Sequence, residues 1–342
     1  QYNVAQKGIA LMRGLQDNGI IASAKHFPGH GDTGTDSHHE LPVISHDMER
    51  LDTLELYPFK QMIENGIASV MVGHLYISAI DTRDETPASL SEKIIRSLLK
   101  NQLNFDGLTL TDALNMKGVL GKSEDHIAVA ALKAGNDILL MPNDIAGGID
   151  AVEKAIKSED LTEEQIETIC RKVLAAKYRV GLNNYKPIDL KNLTKNLTTT
   201  YSEVLYDRLM EAAITLVTNR ENILPLKQLD EKSIAYLEIG KNKGKAFEEQ
   251  LALYSDIHKV SLDKGAGSAV RNAAKKQLEK YNTVVVGYHV TDALSSRNFG
   301  IDTNTINFFK ALSKDQKIIF PFFVTPYFFS KIELPKTIFD ST

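Results

Sequence analysis

Four short apolar runs, each followed by a stretch with helical apolar spacing, recur through the first half of the chain. The runs are residues 20–26, 68–74, 107–112 and 137–141. Before and between them, apolar side chains return every three or four positions. Examples are Val4, Ile9, Leu11, Met12 and Leu15, then Leu51, Leu54, Leu56, Phe59, Met62 and Ile63, then Ile94, Ile95, Leu98, Leu99 and Leu103. Such spacing lines one face of a helix, whereas a run of four to eight apolar residues bounded by Gly or Pro reads as a strand buried on both faces. Residues 125–135 read as a helix, and Thr162, in the pattern Thr-x-x-Gln, caps the helix after the fourth strand. Doubly buried strands alternating with helices predict a parallel α/β sheet.

Around residues 181–200 apolar density drops and Asn, Lys and Thr accumulate with Pro187, which predicts a linker over 184–200. Beyond it, residues 213–217, 234–237, 260–262, 283–286 and 317–320 read as strands. Residues 245–252, 267–279 and 305–313 read as helices. The expected organisation is an α/β domain over 1–183 and an α/β sandwich, of αβα type, over 201–342. A length of 342 residues accommodates two domains. With 43% apolar and 25% charged residues the chain has the composition of a folded globular protein. A formal charge of −4 without a basic run gives no reason to expect nucleic acid or an anionic membrane as partner. No apolar run approaches the roughly 18 residues of a spanning helix. One cysteine, Cys170, rules out an internal disulfide and leaves the compartment, cytoplasm or periplasm, open.

Chemistry-bearing residues concentrate where the first strand ends. Five of the nine histidines fall between His26 and His46, interleaved with Gly29, Gly31, Asp32, Gly34, Asp36 and Glu40. In parallel α/β proteins the loops after strand C-termini carry the active sites, and no turn needs this many imidazoles beside carboxylates. A metal site is conceivable, but the spacing matches no His-Glu-x-x-His motif. A Ser37–His38 hydrolase lacks Gly-x-Ser-x-Gly, and neither common phosphate-binding glycine pattern occurs. Glycosidic cleavage needs a nucleophile or base and a proton donor on opposite sides of a sugar. Asp112, at the end of the third strand and on the same rim as Lys25, His26 and His74, is the candidate nucleophile. Its alternative is to cap the next helix.

The segment Lys25-His26-Phe27-Pro28-Gly29-His30-Gly31-Asp32-Thr33, followed by Asp36-Ser37-His38 and Leu41-Pro42, resembles the signature of the β-N-acetylhexosaminidase branch of glycoside hydrolase family 3. Thr111-Asp112-Ala113-Leu114-Asn115-Met116 is similar to that family's nucleophile segment, with Ala113 where Asp is common. The resemblance implies a (β/α)8 TIM barrel that releases terminal β-linked N-acetylglucosamine, from peptidoglycan or chitin-type fragments, with retention of configuration. It assigns Asp112 as nucleophile, His38 as general acid/base and Asp36 as the carboxylate paired with it. Lys25, His26, His74 and Met116 are then expected to bind the sugar, with neither metal nor cofactor. A histidine suits both halves of such a reaction, because its ordinary pKa near 6.5 lets it give and take a proton at neutral pH. A β-glucosidase-type activity and a metal-dependent hydrolase using the His-rich loop are the alternative readings, and a sugar-binding module without activity is a third.

Four strand–helix units correspond to the second half of an eight-unit barrel, and a whole barrel of about 250 residues plus a second domain does not fit this length. The sequence therefore reads as the C-terminal half of a barrel followed by the sandwich, and residues 1–342 alone are expected to be inactive or poorly folded. The second domain is expected to have a structural or interaction role.

Overall fold

The computed structural model of the chain describes residues 1–31, 41–83, 85–121, 123, 125–219, 222–240, 243–290, 292, 295–313, 316–323 and 329. Internal contacts divide it into two compact units, Gln1–Leu190 and Lys191–Thr342.

In the first unit, β1 (Ser23–Phe27) lies beside β3 (Ser69–Val72), which lies beside β5 (Leu108–Thr111), and both pairings are parallel. Phe27, Val72 and Thr111 stand in register at the C-terminal edge. A separate parallel pair joins β2 (Val43–Ile44) to β4 (Tyr76–Ile77). β3 and β5 are covered on both faces, whereas β1 alternates, with Ser23 and Lys25 exposed and Ala24 and Phe27 buried. Phe27, Val70 and Val72 are fully buried, packed in one core with Ile94, Ile95 and Leu99. Helix Tyr2–Gln16 contributes Met12 to that core, and helix Tyr57–Glu64 contributes Phe59. Two helical segments, Leu51–Glu55 and Lys93–Gln102, are wound more widely, with i→i+5 bonds such as Leu103 N–H to the Leu98 carbonyl at 2.9 Å. The expected capping box forms at helix Glu163–Arg179, where Gln165 N–H donates to Thr162 Oγ1 at 3.1 Å and Thr162 N–H to Gln165 Oε1 at 2.9 Å.

Residues 137–141 do not form the expected fourth strand; they make one parallel bridge, between Leu110 and Ile138. Side chains take over part of the ladder. Thr109 N–H donates to Asp137 Oδ2 at 2.8 Å, and Leu140 N–H to Thr111 Oγ1 at 3.0 Å, where a strand would offer carbonyls. Main-chain bonds still tie the segment to β5, since Thr111 N–H donates to Ile138 O at 3.1 Å.

In the second unit, a four-stranded parallel sheet has the order β7 (Ile257–Leu262), β6 (Ile234–Ile239), β8 (Thr283–Tyr288) and β9 (Lys317–Ile319). Ala235, Leu237 and Ile239 pack with Ala274 and Leu278 of helix Ser268–Leu278 and Phe309 of helix Thr303–Leu312. Their neighbours Ile234 and Tyr236 point the other way, toward Phe247 and Leu251 of helix Lys245–Ala252. That two-residue alternation covers both faces. Buried Glu238 is satisfied by Gly244 N–H at 2.9 Å, Ser261 Oγ at 2.8 Å and Lys259 Nζ at 3.3 Å. Residues 213–217 are not the strand their composition predicts. Ala213 ends a helix that starts at Thr200, and Ile214, Leu216 and Val217 are exposed and pair with no described strand.

Candidate active site

Three strand ends bring the candidate residues of the first unit to one edge. Lys25 and His26 lie in the C-terminal part of β1, Gly73 and His74 follow β3, and Asp112 follows β5. Hydrogen bonds carry the alignment past the strands themselves: Gly73 N–H donates to Phe27 O at 3.0 Å and Asp112 N–H to Val72 O at 2.9 Å. The parallel direction of the three strands is what puts all of these residues on the same rim.

Asp112 presents its two oxygens differently. Oδ1 accepts the Ala113 N–H at 2.8 Å. Oδ2 lies 3.5 Å from His26 Nε2, and the two side chains retain 16% and 26% exposure, so this pair is open to a small molecule. Burial holds the His26 pKa below its ordinary 6.5, a trend that the Asp112 carboxylate opposes and that Lys25, His30 and His74 reinforce. The His30 ring meets that of His26 edge-on, with centroids 6.0 Å apart.

His74, expected from the sequence to bind the sugar, stands at the rim with its ring enclosed by the protein. Only 1% of its surface is exposed, and both ring nitrogens are engaged by the protein. Nε2 lies 3.0 Å from the Ala113 carbonyl and Nδ1 lies 2.7 Å from Ser89 Oγ. A carbonyl can only accept, so Nε2 carries the proton and, in the neutral ring, Nδ1 accepts from the Ser89 hydroxyl. Burial lowers the His74 pKa, with the Ala113 carbonyl and Asp112 acting against it, which favours that neutral form. Ser89 is itself fully buried, and its carbonyl accepts from Asn136 Nδ2 at 2.8 Å. Neither Ser89 nor Asn136 stands out in the sequence, because a Ser after Pro87-Ala88 and an Asn after Gly135 are ordinary turn residues.

Lys25 is exposed at the same edge, whereas Met116 is buried at 8% exposure. Asp36 and His38 lie outside the described residues. The described ends of their segment are nevertheless fixed at this rim. The N-terminal end leaves β1 through Gly29, and the C-terminal end is held where Tyr76 N–H donates to Pro42 O at 2.9 Å, two residues beyond His74. Among the described residues, no three His, Cys, Asp or Glu side chains come together as a metal-binding group.

The family description "Glycosyl hydrolase family 3 N terminal domain" matches residues 1–176. Beta-hexosaminidase A of Pseudoalteromonas piscicida is 29% identical over 273 residues, which cover 74% of this chain and 45% of the relative. A beta-hexosaminidase of Methylobacillus flagellatus is 35% identical over 142 residues, 41% of this chain and 40% of that protein. Among solved structures, a glycoside hydrolase family 3 beta-N-acetylglucosaminidase from Paenibacillus sp. superposes with a TM-score of 0.69 at 27% identity, covering 92% of this chain and 61% of that one. The chain thus spans less than half the length of these two curated relatives.

Proposed function

Because the chain belongs to glycosyl hydrolase family 3, we propose that it acts as a retaining β-N-acetylhexosaminidase releasing terminal β-linked N-acetylglucosamine, with peptidoglycan or chitin-type fragments as substrates. The observation that carries this reading is the divided Asp112 carboxylate, one oxygen held by a main-chain amide and the other open beside His26. That arrangement suits a nucleophilic carboxylate, because the held oxygen orients the group while the other stays accessible to attack. The beta-hexosaminidase names of its relatives favour the same substrate class.

In the first half-reaction Asp112 Oδ2 attacks the anomeric carbon, the bond to the aglycone oxygen breaks, and His38 donates its proton to that oxygen. In the second, water attacks the anomeric carbon, His38 takes the water's proton, and the sugar's bond to Asp112 breaks. Asp36 orients the imidazole and favours its protonated form, as orienting carboxylates do beside catalytic histidines. Lys25 and His26 hold sugar hydroxyls. The first unit corresponds to the C-terminal half of a (β/α)8 barrel, and the second unit has a structural or interaction role.

The test is a paired assay of the full-length protein on an aryl N-acetyl-β-glucosaminide and the matching aryl β-glucoside, with and without chelator. Preferred, chelator-insensitive release from the N-acetylglucosaminide is expected. Preference for the glucoside would replace the substrate assignment, and loss of activity to chelator would favour a metal-dependent hydrolase.

A further inference from the structure

We infer that His74 is a positioning residue for the Asp112 nucleophile, acting through the Ala113 carbonyl rather than through the sugar. The inference rests on the glycosidase reading above. Four hydrogen bonds run in series from the protein interior to the carboxylate: Asn136 Nδ2 to Ser89 O at 2.8 Å, Ser89 Oγ to His74 Nδ1 at 2.7 Å, His74 Nε2 to Ala113 O at 3.0 Å, and Ala113 N–H to Asp112 Oδ1 at 2.8 Å. The residues behind the carboxylate are buried: Ser89 and Asn136 are fully covered and His74 nearly so.

The chain of bonds fixes the turn that follows β5. The Asp112–Ala113 backbone is held from one side by Asp112 N–H on Val72 O at 2.9 Å and from the other by Leu114 N–H on Leu140 O at 2.9 Å. Between these two anchors the Ala113 carbonyl accepts from the Met116 N–H at 3.1 Å and from the buried His74 Nε2 at 3.0 Å, which ties it to the protein interior. If the His74 bond is lost, the Met116 N–H remains on the carbonyl but the tie to the interior is gone, so the residue tilts and its N–H shifts off the line to Asp112 Oδ1. The carboxylate then loses the contact that holds its other oxygen toward His26. A misplacement of this size at a reacting group typically costs about 100-fold in rate. It acts on the reaction rate more than on ground-state binding, because His74 is buried and both of its ring nitrogens are engaged by the protein.

The two amide replacements of histidine separate this role from its alternatives. In His74→Gln the side-chain amide reaches the Nε2 position and can still donate to Ala113 O. In His74→Asn it reaches only the Nδ1 position and can still accept from Ser89. Steady-state kinetics on an aryl N-acetyl-β-glucosaminide, with thermal melting of each variant, form the test. For His74→Asn the expected result is a kcat lower by about 100-fold with KM within about threefold of wild type, and for His74→Gln a kcat restored to within about tenfold. Equal losses in both variants, tracking a fall in melting temperature, would overturn the positioning role in favour of a purely structural one. A rise in KM at constant kcat would overturn it in favour of a sugar contact. Wild-type turnover with an unimpaired His74→Asn variant overturns this inference alone, whereas absence of glycoside turnover in the wild type overturns the glycosidase reading and this inference together.

Discussion

His26 and Asp112 meet across a strand that separates them: their strands β1 and β5 flank β3 on opposite sides, yet His26 Nε2 stands 3.5 Å from Asp112 Oδ2. Next-but-one strands lie about 10 Å apart, so the two side chains must lean over the end of β3. Gly73 makes room for this. A Cβ there would fall 3.0 Å from His26 Cβ. Gly73→Ala is therefore expected to push the imidazole off Asp112 and lower kcat/KM by about tenfold, at a stability cost of about 1 kcal/mol. Kinetics and denaturant melts of the same variant check both numbers.

His26 itself is expected to act on binding. Burial lowers its pKa against the pull of Asp112 and so favours the neutral ring, which offers one donor and one acceptor rather than a charge. Replacing it with Ala removes the hydrogen-bond partner proposed for the sugar and should cost about 10- to 100-fold in kcat/KM, most of it in KM. A fall confined to kcat would assign His26 to the reaction steps instead.

His38 and Asp36 give a prediction that depends on the leaving group. An aryl group with a low-pKa phenol needs little protonation, so His38→Ala should retain far more activity on activated aryl glycosides than on unactivated ones. Asp36→Asn should lower the proton-transfer step and shift the pH profile. If it weakened substrate binding alone, Asp36 would be a ligand contact.

Acid stability of the first unit should depend on Asp81. Its buried carboxylate is desolvated, which opposes ionisation, but hydrogen bonds from Arg83 and Ser91 outweigh this and bring the pKa down to about 2 from an ordinary 3.8. A depressed carboxylate pKa means that the stabilisation is complete above pH 3.8 and is lost as pH falls toward 2. It is worth about 2 kcal/mol. Asp81→Asn should lower stability at pH 7 by about that amount and flatten the acid limb of the stability curve. An unchanged acid limb would show that other carboxylates dominate it. His74 adds a second, higher window. Its lowered pKa makes the folded state bind fewer protons than the unfolded chain, so stability also declines as pH falls below 6.5.

Much of the rim was legible because strand ends in a parallel sheet share one edge. Residues 20–26, 68–74 and 107–112 were readable as strands from short, mostly apolar runs, and that aligned His26, His74 and Asp112. What was not legible was orientation. The sequence shows His74 at the rim but not that its ring turns inward, because its partners are a main-chain carbonyl and a serine 15 residues away. Residues 137–141 misled because Asp137 and Thr111 supply by side chain the hydrogen bonds that a strand makes by backbone. Residues 213–217 misled because β-branched composition signals a strand only when an edge is available to pair with it. Gly29 shows the reverse case: its place before the His-rich segment suggests a turn, and the structure gives it a φ of +142° with Glu55 Cβ 2.6 Å from where a Cβ would sit. Ala at that position meets both a forbidden backbone region and a steric clash.

The most direct measurement of the central claim is covalent trapping. The full-length protein would be incubated with a fluorinated N-acetyl-β-glucosaminide bearing a good leaving group, then digested and mapped by mass spectrometry. The expected result is one sugar attached through the carboxylate of Asp112, in the peptide containing Thr111-Asp112-Ala113. A sugar on a different carboxylate, or steady turnover with inverted product and no adduct, would contradict Asp112 as the nucleophile of a retaining glycosidase.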